Sequence, residues 1–216
     1  MAIHAAETYE ANVVGVTLSP AQASLARHRA LEAGVEGRIQ IRLEDYRDLR
    51  GQRYDAISSI GMFEHVGAKN MNGYFETLHA LLKPGGRLLN HPISRPGGSK
   101  IRGPTFMNRY VFPDGELIDV ADVVRAMERA GFEVRDVESL REHYAETLRA
   151  WVSNLEKHWD DAVKLVGERR VRIWQLYMAA SANGFDDGGL AIHQVLGVRP
   201  RNSGASGMPR TRSDWG

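Results

Sequence analysis

One alternation limits how this chain can fold. Short runs rich in Val, Ile and Leu recur along it, each followed by a turn and then by apolar residues at helical spacing. Residues 12–16, ending Val13-Val14-Gly15-Val16, form a β-branched run of the kind that makes a buried parallel strand. Thr17-Leu18-Ser19-Pro20 follows, with Ser19 suited to cap a helix and Pro20 to its first position. That helix is expected to reach about Ala33 and stop at Gly34. Residues 38–43 alternate strictly and read as a strand, as does the mostly apolar run 54–60. Residues 70–83 then read as a helix, with Tyr74, Phe75, Leu78 and Leu81 on one face and Lys83-Pro84-Gly85-Gly86 ending it. Further strands are expected at 87–93, 132–139 and 190–198, and helices at 118–130, from His143 onward and at 169–185. Residues 94–117 read as irregular. Strands alternating with helices predict an α/β, doubly wound sheet.

At 216 residues the chain fits one domain, with 43% hydrophobic and 25% charged residues, as in ordinary globular proteins. A net charge of +1 suggests neither nucleic acid nor strong membrane attraction. The chain has no cysteine, which rules out disulfides, thiolate metal sites and a cysteine nucleophile and fits a cytoplasmic protein. The first residues carry His4 and Glu7 and do not read as a signal peptide. No run is long enough to span a bilayer, so a lipid substrate would have to be met by peripheral contact with the membrane. Residues 199–216 hold Gly, Ser, Pro and four arginines with almost no apolar content, and disorder is expected there.

Polar residues gather at the expected carboxyl ends of the strands: Thr17, Ser19 and Gln22; Glu44 and Asp45; Glu64 in Gly61-Met62-Phe63-Glu64-His65-Val66-Gly67; and His91. Ligands of open α/β sheets bind along that edge. Taken singly, each has an ordinary reading. Glu64 reads equally as a helix cap or a reacting carboxylate, Gln22 and Glu44 as solvated surface, and His91 as a satisfied core histidine. The aromatic stripe of Tyr144, Trp151 and Trp159 reads as core packing or as the wall of an apolar groove. Glu64-His65 lacks the paired histidines of helical zinc sites, and no Gly-x-Ser-x-Gly elbow is present, so neither a metal site nor a serine hydrolase is expected.

Val14-Gly15-Val16-Thr17-Leu18-Ser19, Ser59-Ile60-Gly61-Met62-Phe63-Glu64-His65-Val66-Gly67, Leu81-Leu82-Lys83-Pro84-Gly85-Gly86, Arg109-Tyr110-Val111-Phe112-Pro113-Asp114-Gly115-Glu116-Leu117 and the stretch from Glu138 to Trp151 resemble, in order and spacing, the cyclopropane-fatty-acyl-phospholipid synthases and mycolic acid cyclopropane synthases. The resemblance covers residues 1 to about 198. It implies the Rossmann-like fold of an S-adenosylmethionine-dependent methyltransferase. It also implies methylene or methyl transfer to the cis double bond of an unsaturated phospholipid acyl chain: the alkene attacks the sulfonium methyl, and the carbocation loses a proton to bound bicarbonate. On this resemblance Glu64, His91 and Tyr144 correspond to the bicarbonate ligands, with backbone help at Ile60 and Ile93. Ser181 stands where the family often has a late cysteine and completes the catalytic set. Thr17, Leu18, Ser19, Gln22, Leu43 and Glu44 correspond to the cofactor contacts. The methyltransferase domain is expected over 1–198, with a helical acyl-binding insertion at about 143–186 whose wall includes Tyr144, Trp151 and Tyr177. Arg95, Lys100, Arg102 and Arg109 are candidates to meet lipid phosphate.

The resemblance also has gaps. The family's first strand, its glycine-rich cofactor loop and a cysteine near the bicarbonate would lie upstream of residue 1, and residues 1–9 look like the interior of the helix that follows that loop. The missing strand would stand between those at 12–16 and 54–60, leaving two unpaired edges. Poor cofactor binding, aggregation or oligomerisation follow as expectations. The alternative is a truncated, inactive paralogue that binds lipid or pairs with a full-length subunit.

Overall fold

Ser19 and Pro20 start a helix as their chemistry requires: the Ser19 hydroxyl accepts from Gln22 N at 3.3 Å, and Pro20 is the first helical residue. In the computed structural model, which describes residues 1–98, 105–113 and 115–215, the chain forms two compact units, Met1–Gln52 and Arg53–Gly216. The first holds α1 (Ala2–Tyr9), β1 (Val13–Thr17), α2 (Pro20–Glu32), β2 (Ile39–Leu43) and a single 3-10 turn at Tyr46–Asp48. β1 and β2 run parallel, in register from Val13 opposite Ile39 to Thr17 opposite Leu43. Their apolar side chains are only partly covered. Ala6, Ala23, Ala30 and Leu49 are the buried apolar residues of this unit.

The second unit begins with β3 (Tyr54–Ile60), two 3-10 turns at Phe63–His65 and Ala68–Asn70, and α3 (Met71–Leu81). It continues with β4 (Leu82–His91), β5 (Ile93–Ser94), α4 (Phe106–Tyr110), α5 (Val120–Arg129) and β6 (Glu133–Ser139). Helices α6 (Arg141–Lys157), α7 (Trp159–Val166) and α8 (Glu168–Asp186) lead to β7 (Ala191–Val198). The sheet order is β3-β4-β7-β5, with β6 also paired to β7. β3 and β4 are parallel, whereas β7 runs antiparallel to β4, β5 and β6. Alternation along β7 covers the sheet on both sides. Gly197 lies so close to Met127 of α5 that a Cβ there would come within 2.5 Å of it. Ile192, of opposite parity, packs with Ala145 and Leu148 of α6 and Tyr177 and Phe185 of α8. The chain is thus an α/β fold with a mixed sheet. Among the described residues, β1 and β3 each pair with one strand alone.

Four local expectations need correction. Lys83-Pro84-Gly85-Gly86 is not only a helix stop but the start of β4, because Leu82 registers with Tyr54, and Gly85 N and Gly86 O bond to the backbone of Arg199. Residues 94–117 are not wholly irregular: Thr105 accepts from Asn108 N at 3.2 Å and caps α4. The helical stretch from His143 begins earlier, at Arg141, and breaks at His158, so that Trp159 opens a separate helix. Within 199–215, where disorder is expected, Arg199 donates to the carbonyls of His79 and Leu82 at 2.9 Å each, and Arg212 pairs with Asp136. Arginines that look merely solvated in the sequence find carbonyls and a carboxylate from elsewhere in the chain.

Candidate active site

Glu64 enters the interior because its neighbour pins the turn. Phe63 is 2% exposed and packs on Tyr74 and Phe75 of α3, with ring centroids 5.4 and 5.5 Å away. The turn that follows β3 therefore folds onto α3 and leaves Glu64 buried, 7% exposed. Glu64 Oε1 accepts from Ile93 N at 2.6 Å, while Oε2 is buried without a partner. Burial drives the carboxyl above its ordinary pKa, and the bond from Ile93 N opposes part of that shift. The turn is held from a second side by Glu116. Its backbone N donates to Glu64 O at 2.9 Å, and its Oε2 accepts from Ala68 N at 2.8 Å. Gly67, between them, has φ +75°, a conformation that L side chains rarely adopt, and a Cβ there would stand in tight contact, 3.2 Å from Glu116 Oε2.

His91 ends β4 opposite Ile60, and its Nδ1 is buried without a hydrogen-bond partner. Burial, and secondarily the neighbouring His193, hold it below the ordinary histidine pKa, so it is neutral at pH 7. His193 in turn shares a 2.9 Å hydrogen bond with Ser94 through Nδ1. Tyr144 lies in the first turns of α6, edge-on to Phe185 at 5.0 Å and Trp151 at 6.0 Å. Burial first, then Tyr177 and the charge of Glu64, push its phenol up to about 12. Tyr177 is raised as well: burial leads, a hydrogen bond with Ser181 opposes it, and Glu64 adds to it. The field of Glu64 thus reaches both phenols. Ser181, itself buried, lies one helical turn beyond Tyr177.

Around this polar group stands an apolar wall. Phe112 packs against Trp174 and Tyr177 at 6.2 and 5.7 Å, and Ile93, Phe106, Met107 and Val111 pack on the cluster formed by Leu148, Met178, Ala182 and Phe185. Glu64, Ile93, Tyr144, Tyr177 and Ser181 are thereby gathered in the Arg53–Gly216 unit, as is His91 at the end of β4. Ile60, 48% exposed, contributes its backbone at the β3 terminus. Ile93 N is already engaged by Glu64, so the peptide group expected to meet an anion meets the carboxylate. A cleft of about 250 Å³ between α6 and α8 is lined by Arg149, Val152, Ser153, Glu156 and Asn183 and contains none of the expected site residues. Of the four expected phosphate-facing cations, Lys100 and Arg102 lie outside the described residues. Arg109 stacks on Tyr110 at 5.3 Å, and Arg95 N donates to Ile118 O.

The other expected residues form a separate group in the Met1–Gln52 unit. Thr17 Oγ1 donates to Gln22 Oε1 at 2.7 Å and accepts from Ser19 N at 3.1 Å. Glu44 N donates to Thr17 O at 3.1 Å, and its carboxylate lies 4.0 Å from Arg42. Leu18 and Leu43 are 70% and 53% exposed beside these groups, at the carboxyl ends of two parallel strands and the amino end of α2. Exposed apolar faces flanking hydroxyl, amide and carboxylate groups suit a ligand that is part ring and part polyol. Sequence reasoning assigned no role to Glu116 or His193. Only the position of Glu116 after a Pro-Asp-Gly turn hinted at a fixed carboxylate, and nothing local marked His193.

Comparison with known proteins gives these sites a context. Residues 1–195 match the family described as mycolic acid cyclopropane synthetase. A Pseudomonas putida protein named "Probable fatty acid methyltransferase" is 42% identical over 99% of this chain and 56% of its own length. The cyclopropane-fatty-acyl-phospholipid synthase of Escherichia coli is 35% identical over 94% of this chain and 52% of its own. The chain spans about half the length of these curated relatives. Among solved structures, the mycolic acid cyclopropane synthase CmaA1 complexed with SAH and CTAB superposes with a TM-score of 0.82 and 29% identity, covering 90% of this chain and 72% of that one.

Proposed function

Since this chain belongs to the mycolic acid cyclopropane synthetase family, we propose that it carries the machinery for S-adenosylmethionine-dependent methyl or methylene transfer to the cis double bond of a lipid acyl chain. The observation that carries this reading is the pair of buried, unpartnered polar atoms, Glu64 Oε2 and His91 Nδ1, set in the unit that also holds Tyr144 and an aromatic wall. A buried carboxylate oxygen and a buried ring nitrogen left unpaired are costly unless something completes them, and the same unit adds the Tyr144 hydroxyl as a donor. A small oxyanion bearing a hydroxyl, such as bicarbonate, fits that donor set, and the Thr17–Gln22 and Leu43–Glu44 turns fit a nucleoside. When bound, S-adenosylmethionine supplies the electrophilic methyl group and bicarbonate a base for the proton released.

The chain's own residues then have distinct tasks. Tyr144, held protonated, donates a hydrogen bond without yielding its proton at neutral pH. His91, held neutral, has one ring nitrogen free to donate into the site. Glu64 orients the site from its anchor on Ile93 N and accepts through Oε2. The wall of Phe112, Trp174, Tyr177 and Phe185 takes the acyl chain and keeps water from the reacting carbons. The membrane, reached by peripheral contact, supplies the substrate. Incubating the chain with S-adenosylmethionine and unsaturated phospholipid, followed by lipid mass spectrometry, tests the reading. A gain of one methylene is expected, lost in Glu64→Gln and His91→Ala. Unchanged products in both variants would refute the assigned roles.

A second reading draws on β1 and β3, each paired with one strand alone among the described residues. In it the chain binds lipid without turnover, or pairs with a full-length subunit through those edges. Methyl transfer by the purified chain alone would exclude this reading. Co-purification with an added full-length relative, together with turnover above that of the relative alone, would establish it.

A further inference from the structure

The corner between α7 and α8 exposes apolar residues that the core does not use. Leu165 is 83% exposed and Val166 47%, at the very end of α7. Gly167, with φ +81°, turns the chain, and α8 begins at once with Glu168-Arg169-Arg170. Between Lys157 and Arg172, five Lys and Arg stand against three Asp and Glu. Lys164 is paired with Asp161 at 3.0 Å, and Arg172 with Glu168 at 2.7 Å while it also covers the Trp159 ring. Arg169 and Arg170 are exposed and have no ion-pair partner among the described residues. Asp160, also exposed, lies back toward the start of α7.

The corner connects with the candidate site along α8. Arg170, Trp174, Tyr177 and Ser181 recur at spacings of four, three and four, so they share one face. Arg170 is exposed, Trp174 is 39% exposed, and Tyr177 and Ser181 are buried, so this face runs from surface to interior. Seven residues from Arg170 to Tyr177 span about 10 Å of helix. Leu176, 56% exposed, adds apolar surface on the flank.

We propose that the α7–α8 corner is the surface by which this chain docks on an anionic lipid bilayer, with Leu165 and Val166 entering the apolar layer and Arg169 and Arg170 meeting lipid phosphates. Two exposed apolar residues followed at once by two cations without an ion-pair partner match such a surface in both polarity and charge. The inference rests on the reading of the substrate as a phospholipid acyl chain, and it gives the outer end of the aromatic wall a source of that chain.

Because the chain lacks cysteine, Leu165→Cys gives one attachment point for an environment-sensitive fluorophore. The full chain is mixed with vesicles of saturated phosphatidylcholine, with and without saturated phosphatidylglycerol, where no double bond exists to react. A blue shift is expected with the anionic vesicles alone, and none from a label at Glu76→Cys on α3. Arg169→Glu with Arg170→Glu is expected to weaken vesicle partition at least about tenfold, with the melting temperature unchanged because both side chains are exposed. No shift at Leu165, or partition unaffected by the double variant, would overturn the proposal. So would a shift that grows with protein concentration in the absence of lipid, which would assign the corner to a second copy of the chain. A chain that docks in this way but fails the methyl-transfer assay refutes the proposed activity and leaves the docking surface standing. Turnover in detergent micelles without vesicle docking does the reverse.

Discussion

Glu64 concentrates the tension between folding and chemistry. Its carboxylate is buried with one oxygen bonded and the other bare. The folded state raises its pKa, so folding favours the protonated form. The stability contributed by that proton is complete below the ordinary carboxyl pKa and is lost as pH rises through the folded-state value. Glu64→Gln keeps an oxygen for Ile93 N and removes the charge. It is expected to raise the melting temperature at pH 7 by about 2–4 °C, the shift that about 1 kcal/mol produces in a chain of this size, while abolishing methyl transfer. The stabilisation should vanish below about pH 4. A variant that is active, or less stable at neutral pH, would contradict this account. Tyr144→Phe separates the hydroxyl from the ring. The contact with Phe185 at 5.0 Å survives and the O–H donor does not. Turnover is expected to fall by about 10²- to 10⁴-fold with an unchanged thermal melt. A parallel loss of stability would assign the hydroxyl to packing instead.

At the scale of elements, the site depends on how the turn after β3 is clamped between α3 and the Glu116 segment. Gly67→Ala places a side chain in left-handed backbone and against Glu116 Oε2. A cost of about 1–2 kcal/mol in stability is expected, with turnover falling further than stability as the Ala68–Glu116 bond is displaced. Urea melts and kinetics on one preparation check the pairing of the two effects. The same elements show what the sequence could reveal. β3 spans the predicted residues 54–60, because a short apolar run bounded by turn formers has no other good use. The Ser19–Pro20 helix start was equally plain. Glu116 was not legible, because its importance comes from Glu64 and Ala68, 52 and 48 residues away in sequence. The break at His158 was hidden because apolar spacing continues through it, and residues 83–86 near the start of β4 look like a turn until Arg199 is placed beside them.

For the whole molecule, division into two units was beyond local pattern, since a strand does not announce its partner. The α/β alternation alone predicted one sheet, and only the family resemblance predicted a gap in it between the strands at 12–16 and 54–60. The structure gives β1 and β2 a parallel ladder of their own, with Ala6, Ala23, Ala30 and Leu49 as the buried apolar residues of that unit. Two strands with so little covered surface are marginally stable. Hydrogen exchange by mass spectrometry is therefore expected to show β1 and β2 amides exchanging orders of magnitude faster than those of β4 and β7, and to slow on adding S-adenosylmethionine. Equal protection in the two units would mean that the first is stabilised by more than its own contacts.

The break at Pro92 between β4 and β5 leaves one further legacy. The atom that anchors Glu64 is not a side chain but the peptide nitrogen of Ile93, at 2.6 Å. Position 93 can therefore drift among apolar residues without disturbing the carboxylate, whereas any change that restores a continuous strand through 92 would redirect that nitrogen. Comparing residue letters alone would score position 93 as dispensable and miss its part in the site.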